Sequence, residues 1–449
     1  MSSIFGLEGA FVQVAAISVL ALTVGLSLGR PRIGRLQIHH AHAAIIGAAV
    51  ALALGVVPPD LLWVAAKLLA RPVVTIVSLM IITLIAESAG LFEILAGALA
   101  RGARGSGPRL FGSLFLAGTL AGTFFTNDAA VLIFTPLVFQ LIERIGGTEW
   151  KLENKIPFYF AVLYVGNLVG ALVIANPINI VVSSIFGIGF VEYACWMALP
   201  AAVSIVISFA GLWLFFGSQV PRRFSLPDPG PRTSSRRRLQ TICAGVMALT
   251  LAGFFSEGFT GVPTWAVAAC GAAALLAVHV TLGRGNARAV VRGVGWDVIV
   301  FLCGMFIVAM GLRNAGLAEA VGHWIRQLAG GDLSRMRLAT GVVASVCSAV
   351  INNHPTAGMM AWTIQDFGLP GLQTKLLAFA ALIGGDLGPK MLPIGSLAAL
   401  MWFRILRDRG VQIPYGLYVR IGVPVTLIAV VASILALNLE AWIYGLSSP

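Results

Sequence analysis

From Ala10 to Gly29 the chain carries no charged side chain, and apolar runs of similar length return to its far end, parted by short arginine-bearing loops. Hydrocarbon offers no water to pair backbone N–H and C=O groups, so a run of about 20 apolar residues is stable there as a helix that pairs its own backbone. A length of 449 residues supplies ten or more such spans and leaves no room for a separate water-soluble domain. With 58% apolar and 11% charged residues, the chain is excluded as an ordinary soluble globule. The expected fold class is an all-α polytopic membrane protein, with the lipid bilayer as its solvent.

A formal net charge of +12 would suggest nucleic acid in a soluble protein. Here the cations cluster in loops at 30–35, 101–109, 144–155, 222–238, 284–292 and 404–409, which is the positive-inside pattern, so no nucleic-acid partner is read. Those loops are assigned to the cytoplasm, giving a multi-pass protein of the inner membrane with an uncleaved first helix and both termini outside. Residues 10–29 run inward, 41–57 outward and 73–98 inward. Segment 110–142 lies between two basic loops and breaks at Thr126-Asn127-Asp128, which reads as a re-entrant helical hairpin. Two full crossings fit the same loops, but arms of about 16 residues are short for a span of about 17–25. Segments 156–190 and 191–217 go out and return. After the polar stretch 221–240, 241–256 goes outward, 263–282 inward and 296–318 outward. Residues 336–367 form a second hairpin, 371–403 returns inward and 421–446 exits. Arg326, Arg335 and Arg337 then fall outside, against the charge rule. Cys195, Cys243, Cys270, Cys303 and Cys347 stand singly in apolar segments and read as free buried thiols.

The two halves repeat. Glu87-Ser88-Ala89-Gly90-Leu91 matches Arg313-Asn314-Ala315-Gly316-Leu317, and the same offset sets Thr126-Asn127-Asp128 on Asn352-Asn353-His354. Further on, Gly166-Asn167-Leu168 matches Gly385-Asp386-Leu387, which sets Asn176-Pro177 on Gly395-Ser396. Residues 1–220 form a first repeat, 221–240 a cytoplasmic linker and 241–449 a second repeat. An odd number of crossings per half, five, inverts the second copy in the membrane, an arrangement found in secondary transporters.

Four helix breaks hold the polar chemistry: Thr126-Asn127-Asp128, Ala175 to Asn179, Asn352 to Thr356, and Gly384 to Lys390 extending to Ser396. Non-helical backbone at membrane depth belongs beside a water-filled cavity or inside protein, and short amides and hydroxyls there cap helix ends or bind a polar solute. Thr126, Asn127, Asp128, Asn176, Asn179, Asn352, Asn353, His354 and Ser396 are therefore the candidate binding residues. Asp128, Asp386, Lys390 and Glu87 are the candidate proton-coupling groups, because a charge near the bilayer centre is retained at a cost of about 2.5–3.5 kcal/mol. Asp386 and Lys390, four apart, are equally readable as a buried ion pair, and Glu87 with Arg313 as a pair across the repeat axis. His354 reads as packing or as a ligand group, His39, His40 and His42 as a solvated interfacial cluster, and Gly166 to Gly170 as a small-residue helix contact. There is no Gly-Lys dipeptide for a phosphate loop and no HExxH; Gly25 to Gly29 fits GxSxG without the strand that motif requires. No enzyme, cofactor or resident metal is read.

The runs Thr126 to Pro136, Asn352 to Thr356, Gly311 to Leu317, and Gly385-Asp386-Leu387-Gly388-Pro389-Lys390 through Pro393-Ile394-Gly395-Ser396-Leu397 resemble the arsenical pump membrane proteins, bacterial arsenite and antimonite permeases of the ion transporter superfamily. The resemblance covers nearly the whole chain in order. It implies efflux of the neutral trihydroxides of arsenic and antimony in exchange for protons, in some members with a soluble arsenite-stimulated ATPase as partner. It also implies a scaffold domain (10–98 and 241–318) and a transport domain carrying the hairpins (110–217 and 336–446). His354 stands where the family has an apolar residue, and Asn176 to Asn179 departs from its Ser-Asn-x-x-Asn. The rival readings are a sodium- or proton-coupled anion or dicarboxylate carrier of the same superfamily and a membrane-embedded enzyme.

Overall fold

The computed structural model describes residues 2–33, 36–147, 149–225, 237–283 and 285–445, without the side chains of residues 2–9, Ile33, Leu36, Asp128 and Leu397. Most of the linker expected at 221–240 lies outside the described residues. In the first half, α1 (Ser2–Gly29) leads through an antiparallel pair, β1 (Arg32–Ile33) and β2 (Leu36–Gln37), into α2 (His40–Ala53). Then come α3 (Asp60–Ser88), α4 (Leu91–Gly102), α5 (Gly107–Phe124), α6 (Asn127–Gly146) and α7 (Leu152–Val165). A 3-10 turn at Val173–Ala175 precedes α8 (Pro177–Phe186) and α9 (Phe190–Phe216). The second half holds α10 (Arg237–Phe255), α11 (Glu257–Thr260), α12 (Thr264–Thr281), α13 (Ala287–Gly293), α14 (Trp296–Asn314), α15 (Leu317–Ala329), α16 (Leu333–Ile351) and α17 (Asn353–Gln365). It closes with α18 (Gly371–Leu387), 3-10 turns at Gly388–Lys390 and Pro393–Gly395, α19 (Leu397–Arg407) and α20 (Tyr415–Ile443). Among the described residues nine helices are long and apolar enough to cross a membrane.

Large apolar side chains lie outside, with Leu214 84% and Leu249 73% exposed, the inverse of a water-soluble globule. Within, α2 packs on α14, α12 on α3, α16 on α18, α6 on α7 and α19, and α9 on α20. Backbone pairing of Phe224 with Gly105 and a bond from Asn154 to the Gln219 carbonyl gather loops at one end of the bundle. At the other end Glu257 binds the N–H groups of Phe190 and Thr264, and Lys375 pairs with Glu192 at 2.8 Å.

Several expectations need correction. The span 73–98 is not one helix: α3 starts at Asp60, runs through Pro72, and ends at Ser88, after which Gly90 (φ 80°) takes the left-handed conformation that a residue with a Cβ resists, and the chain turns into α4. Gly316 (φ 76°) makes the same turn between α14 and α15. The arms of the first hairpin are 18 and 20 residues, longer than expected, because both helices extend toward their basic loops. Gly166 to Gly170 is not a helix face, since α7 stops at Val165 and these residues are the break itself, although Gly166 does lie close against Val131 of α6. His40 is not solvated: it is buried, its Nε2 lies 2.9 Å from Asp297, and its ring meets Phe301 edge-on. The packing of α2 on α14 shuts the ring off from solvent, so the imidazole finds the Asp297 carboxylate on α14.

Candidate functional site

The first N–H groups of any helix have no partner within the helix, and in an apolar interior the protein must supply one. Each of the four restarting helices solves this with a buried polar residue from its break. Thr126 Oγ1 accepts from the Ala129 N–H at 3.4 Å to cap α6, and Asn176 Oδ1 from Ile178 at 3.3 Å to cap α8. Asn352 Oδ1 accepts from His354 at 3.2 Å to cap α17, and Ser396 Oγ from Ala399 at 3.2 Å to cap α19.

The breaks also bind one another. Asn167 Nδ2 donates to Ser396 Oγ at 3.3 Å, joining the first-half break to the second, and Asn352 Nδ2 donates to the Gly395 carbonyl at 3.1 Å, joining the tip of the α16–α17 hairpin to the turn before α19. Asn352 holds φ 81°, a conformation costing about 1–3 kcal/mol outside glycine, and its hydrogen bonds to the Gly395 carbonyl and to His354 hold it there.

Asp386, fully buried at the end of α18, is the centre of this crossing. One carboxylate oxygen accepts from Asn176 Nδ2 at 2.7 Å; the other accepts from the Gly170 N–H at 3.0 Å and Asn179 Nδ2 at 3.1 Å. Only glycine fits at 170, where a Cβ would come within 2.7 Å of Asn179 Nδ2. The expected Asp386–Lys390 ion pair does not form within 4 Å. The helix tightens into a 3-10 turn after Leu387, which spoils the four-residue spacing. Lys390 Nζ donates instead to Ser208 Oγ at 3.3 Å and stands 5.1 Å from the Tyr164 ring centre.

Three candidate residues keep a buried polar atom with no partner among the described residues: Asn127 Nδ2, Asn179 Oδ1 and His354 Nε2. Buried polar atoms are ordinarily satisfied, so unpartnered ones beside helix breaks are the capacity for a polar solute. His354 Nδ1 lies 3.0 Å from Asn352 Oδ1, and its ring meets Phe301 edge-on. Asn353 is buried at the start of α17. Asp128 follows Asn127 in α6, and its side chain is outside the described residues. Glu87 is not brought in: it is exposed near the end of α3, and Arg313, its expected partner, pairs with Asp366 at 3.2 Å. Asn167 and Gly170 were missed as site residues. Asn167 did stand in the repeat match, but nothing local marks Gly170, whose part depends on a residue 216 positions away.

A many-spanning helical protein whose broken helices meet around a buried, amide-held carboxylate is a membrane transporter. The chain belongs to the arsenical pump membrane protein family, whose sequence model matches residues 15–443. An arsenical pump membrane protein of Escherichia coli is 32% identical over 432 residues, covering 95% of this chain and 99% of that protein, and one of Yersinia enterocolitica is 33% identical with the same coverage. The crystal structure of the YdaH transporter of Alcanivorax borkumensis shares the fold, with a TM-score of 0.57 at 14% identity over 98% of this chain and 99% of that one.

Proposed function

We propose that the chain exports arsenite and antimonite, as neutral trihydroxides, across the inner membrane in exchange for protons by alternating access. Family membership carries the reading. The site chemistry suits it: amides, hydroxyls and helix ends fit a small uncharged solute with several hydroxyl groups, and the carboxylate offers a place for the counter-moving proton. In this reading the two halves are inverted repeats, the hairpins re-enter, and Asp386, Asp128 or both carry the proton while Lys390 tunes the site. The packing of the hairpin tips supports re-entry. The α5–α6 tip packs against the break between α7 and α8, and the α16–α17 tip bonds to the break between α18 and α19, each break lying midway along a crossing segment. The energy source is then the proton gradient, with an ATPase subunit as an optional addition.

Arsenite accumulation in everted vesicles holding only this protein, energised by a pH gradient, tests the proposal. Uptake that collapses with an uncoupler is expected. Sodium-driven movement of an anion, with no uptake of arsenite or antimonite, would leave the fold standing and overturn the substrate.

A further inference from the structure

Arg71 sits in an apolar 29-residue helix, eleven residues past its start at Asp60 and so about 16 Å along the axis. It is exposed and stands level with the α11–α12 turn, toward one end of the bundle, where a guanidinium faces water or a partner. Its guanidinium has no ion pair or hydrogen bond among the described residues, and it lines a cavity of about 270 Å³ between α3, α8 and the α11–α12 turn. The opposite wall includes Ser183, whose hydroxyl is buried and unpartnered, and Thr75 lies one turn beyond Arg71.

On α8, Asn176, Asn179 and Ser183 share one face, spaced three and four residues apart. The first two hold Asp386; the third opens on the cavity. Asn179 Oδ1 and the Ser183 hydroxyl, both unpartnered, thus make a polar stripe of about 10 Å from the carboxylate to the cavity, on a wall that also holds Val173, Ile180 and Ser184.

Resting on the export reading, we infer that this cavity is the vestibule through which the small uncharged polyhydroxy solute passes between the Asp386 site and the membrane face that bears α11. Arg71, with the Glu257 carboxylate on the same cavity, keeps the vestibule hydrated, and its guanidinium donates to solute oxygens; Ser183 and Asn179 hand the solute along the stripe.

The test places single cysteines at Ser183, at Thr75 on the facing wall, and at two face markers, Phe259 (93% exposed, on α11) and Asp408 at the opposite end. A membrane-impermeant cationic methanethiosulfonate is applied to right-side-out and to everted vesicles. Peptide mass spectrometry separates each new thiol from the five native ones, and arsenite flux is followed before and after. The expected result is labelling of Ser183→Cys and Thr75→Cys from the side that labels Phe259→Cys, with at least a tenfold loss of flux, while labelled Phe259→Cys keeps its flux. No labelling of either, labelling from the Asp408→Cys side, or labelling without loss of flux would overturn the vestibule. Should Ser183→Cys not fold, Thr75→Cys gives the same reading. Absence of arsenite flux in the unsubstituted protein would instead defeat the export proposal, and the sidedness of labelling would still be read.

Discussion

Three donors converge on the Asp386 carboxylate, so its substitutions separate charge from geometry. Asp386→Asn keeps the shape but turns one acceptor into a donor facing other donors. Arsenite uptake into everted vesicles is expected to fall at least tenfold while the protein stays folded. Asp386→Ala leaves the three donors unpaired in the interior, at about 1–3 kcal/mol for each buried unsatisfied group, and the melting temperature in detergent should drop further than for the Asn variant. Gly170→Ala acts on the same centre from the backbone side, pushing Asn179 away from its carboxylate. It is expected to raise the apparent KM for arsenite. Asp128→Asn decides between carriers, since full pH-gradient-driven uptake in that variant would remove Asp128 as the sole proton carrier.

The four helix restarts share one device, yet their caps carry unequal duties. Thr126 caps α6 with a single long bond, whereas Asn176 both caps α8 and gives the shortest bond to Asp386. Losing a cap costs about 0.5–2 kcal/mol. Asn176→Ala should therefore exceed Thr126→Ala in lost thermal stability, and Thr126→Ser should restore most of the smaller loss. Two of the three arginines that broke the charge rule have partners in particular elements. Arg326 donates to the carbonyls of Asp366 and Phe367 and stacks on Phe367, and Arg337, 1% exposed on α16, donates to Asn438, Gln373 and Ser334. A cation consumed inside the protein, as Arg337 is, differs from the solvated loop charges that orient a chain in the membrane. Arg337→Ala should destabilise the protein by about 1.5–3 kcal/mol, the range for hydrogen bonds to a charged group, as read by thermal unfolding in detergent. Replacing the exposed Arg335 should leave the transition unmoved.

Taken as a whole, the molecule alternates its helices between two ends. In the proposed topology five crossings on either side of the linker place both termini at the end that bears α11. Reporter fusions at residues 10 and 445 should thus behave alike, an exported phosphatase being active at each and a fluorescent protein that folds only in the cytoplasm staying dark. Opposite behaviour at the two ends would remove the inverted-repeat arrangement.

The membrane class, the family and the positions of the helix breaks were legible in the chain alone, because hydrocarbon penalises every unpaired backbone group and charge, and so forces a local signal at each residue that is an exception. Thr126, Asn176, Asn352 and Ser396 stood out for that reason, and each caps a helix. The partners were not legible. Lys390 turned to Ser208 and Tyr164 instead of Asp386, Arg313 to Asp366 instead of Glu87, and His40 inward to Asp297. A partner is chosen by which side chains the packing brings within about 3 Å. Asp386 is bound by groups more than two hundred positions away, and only the tertiary structure brings those groups to it.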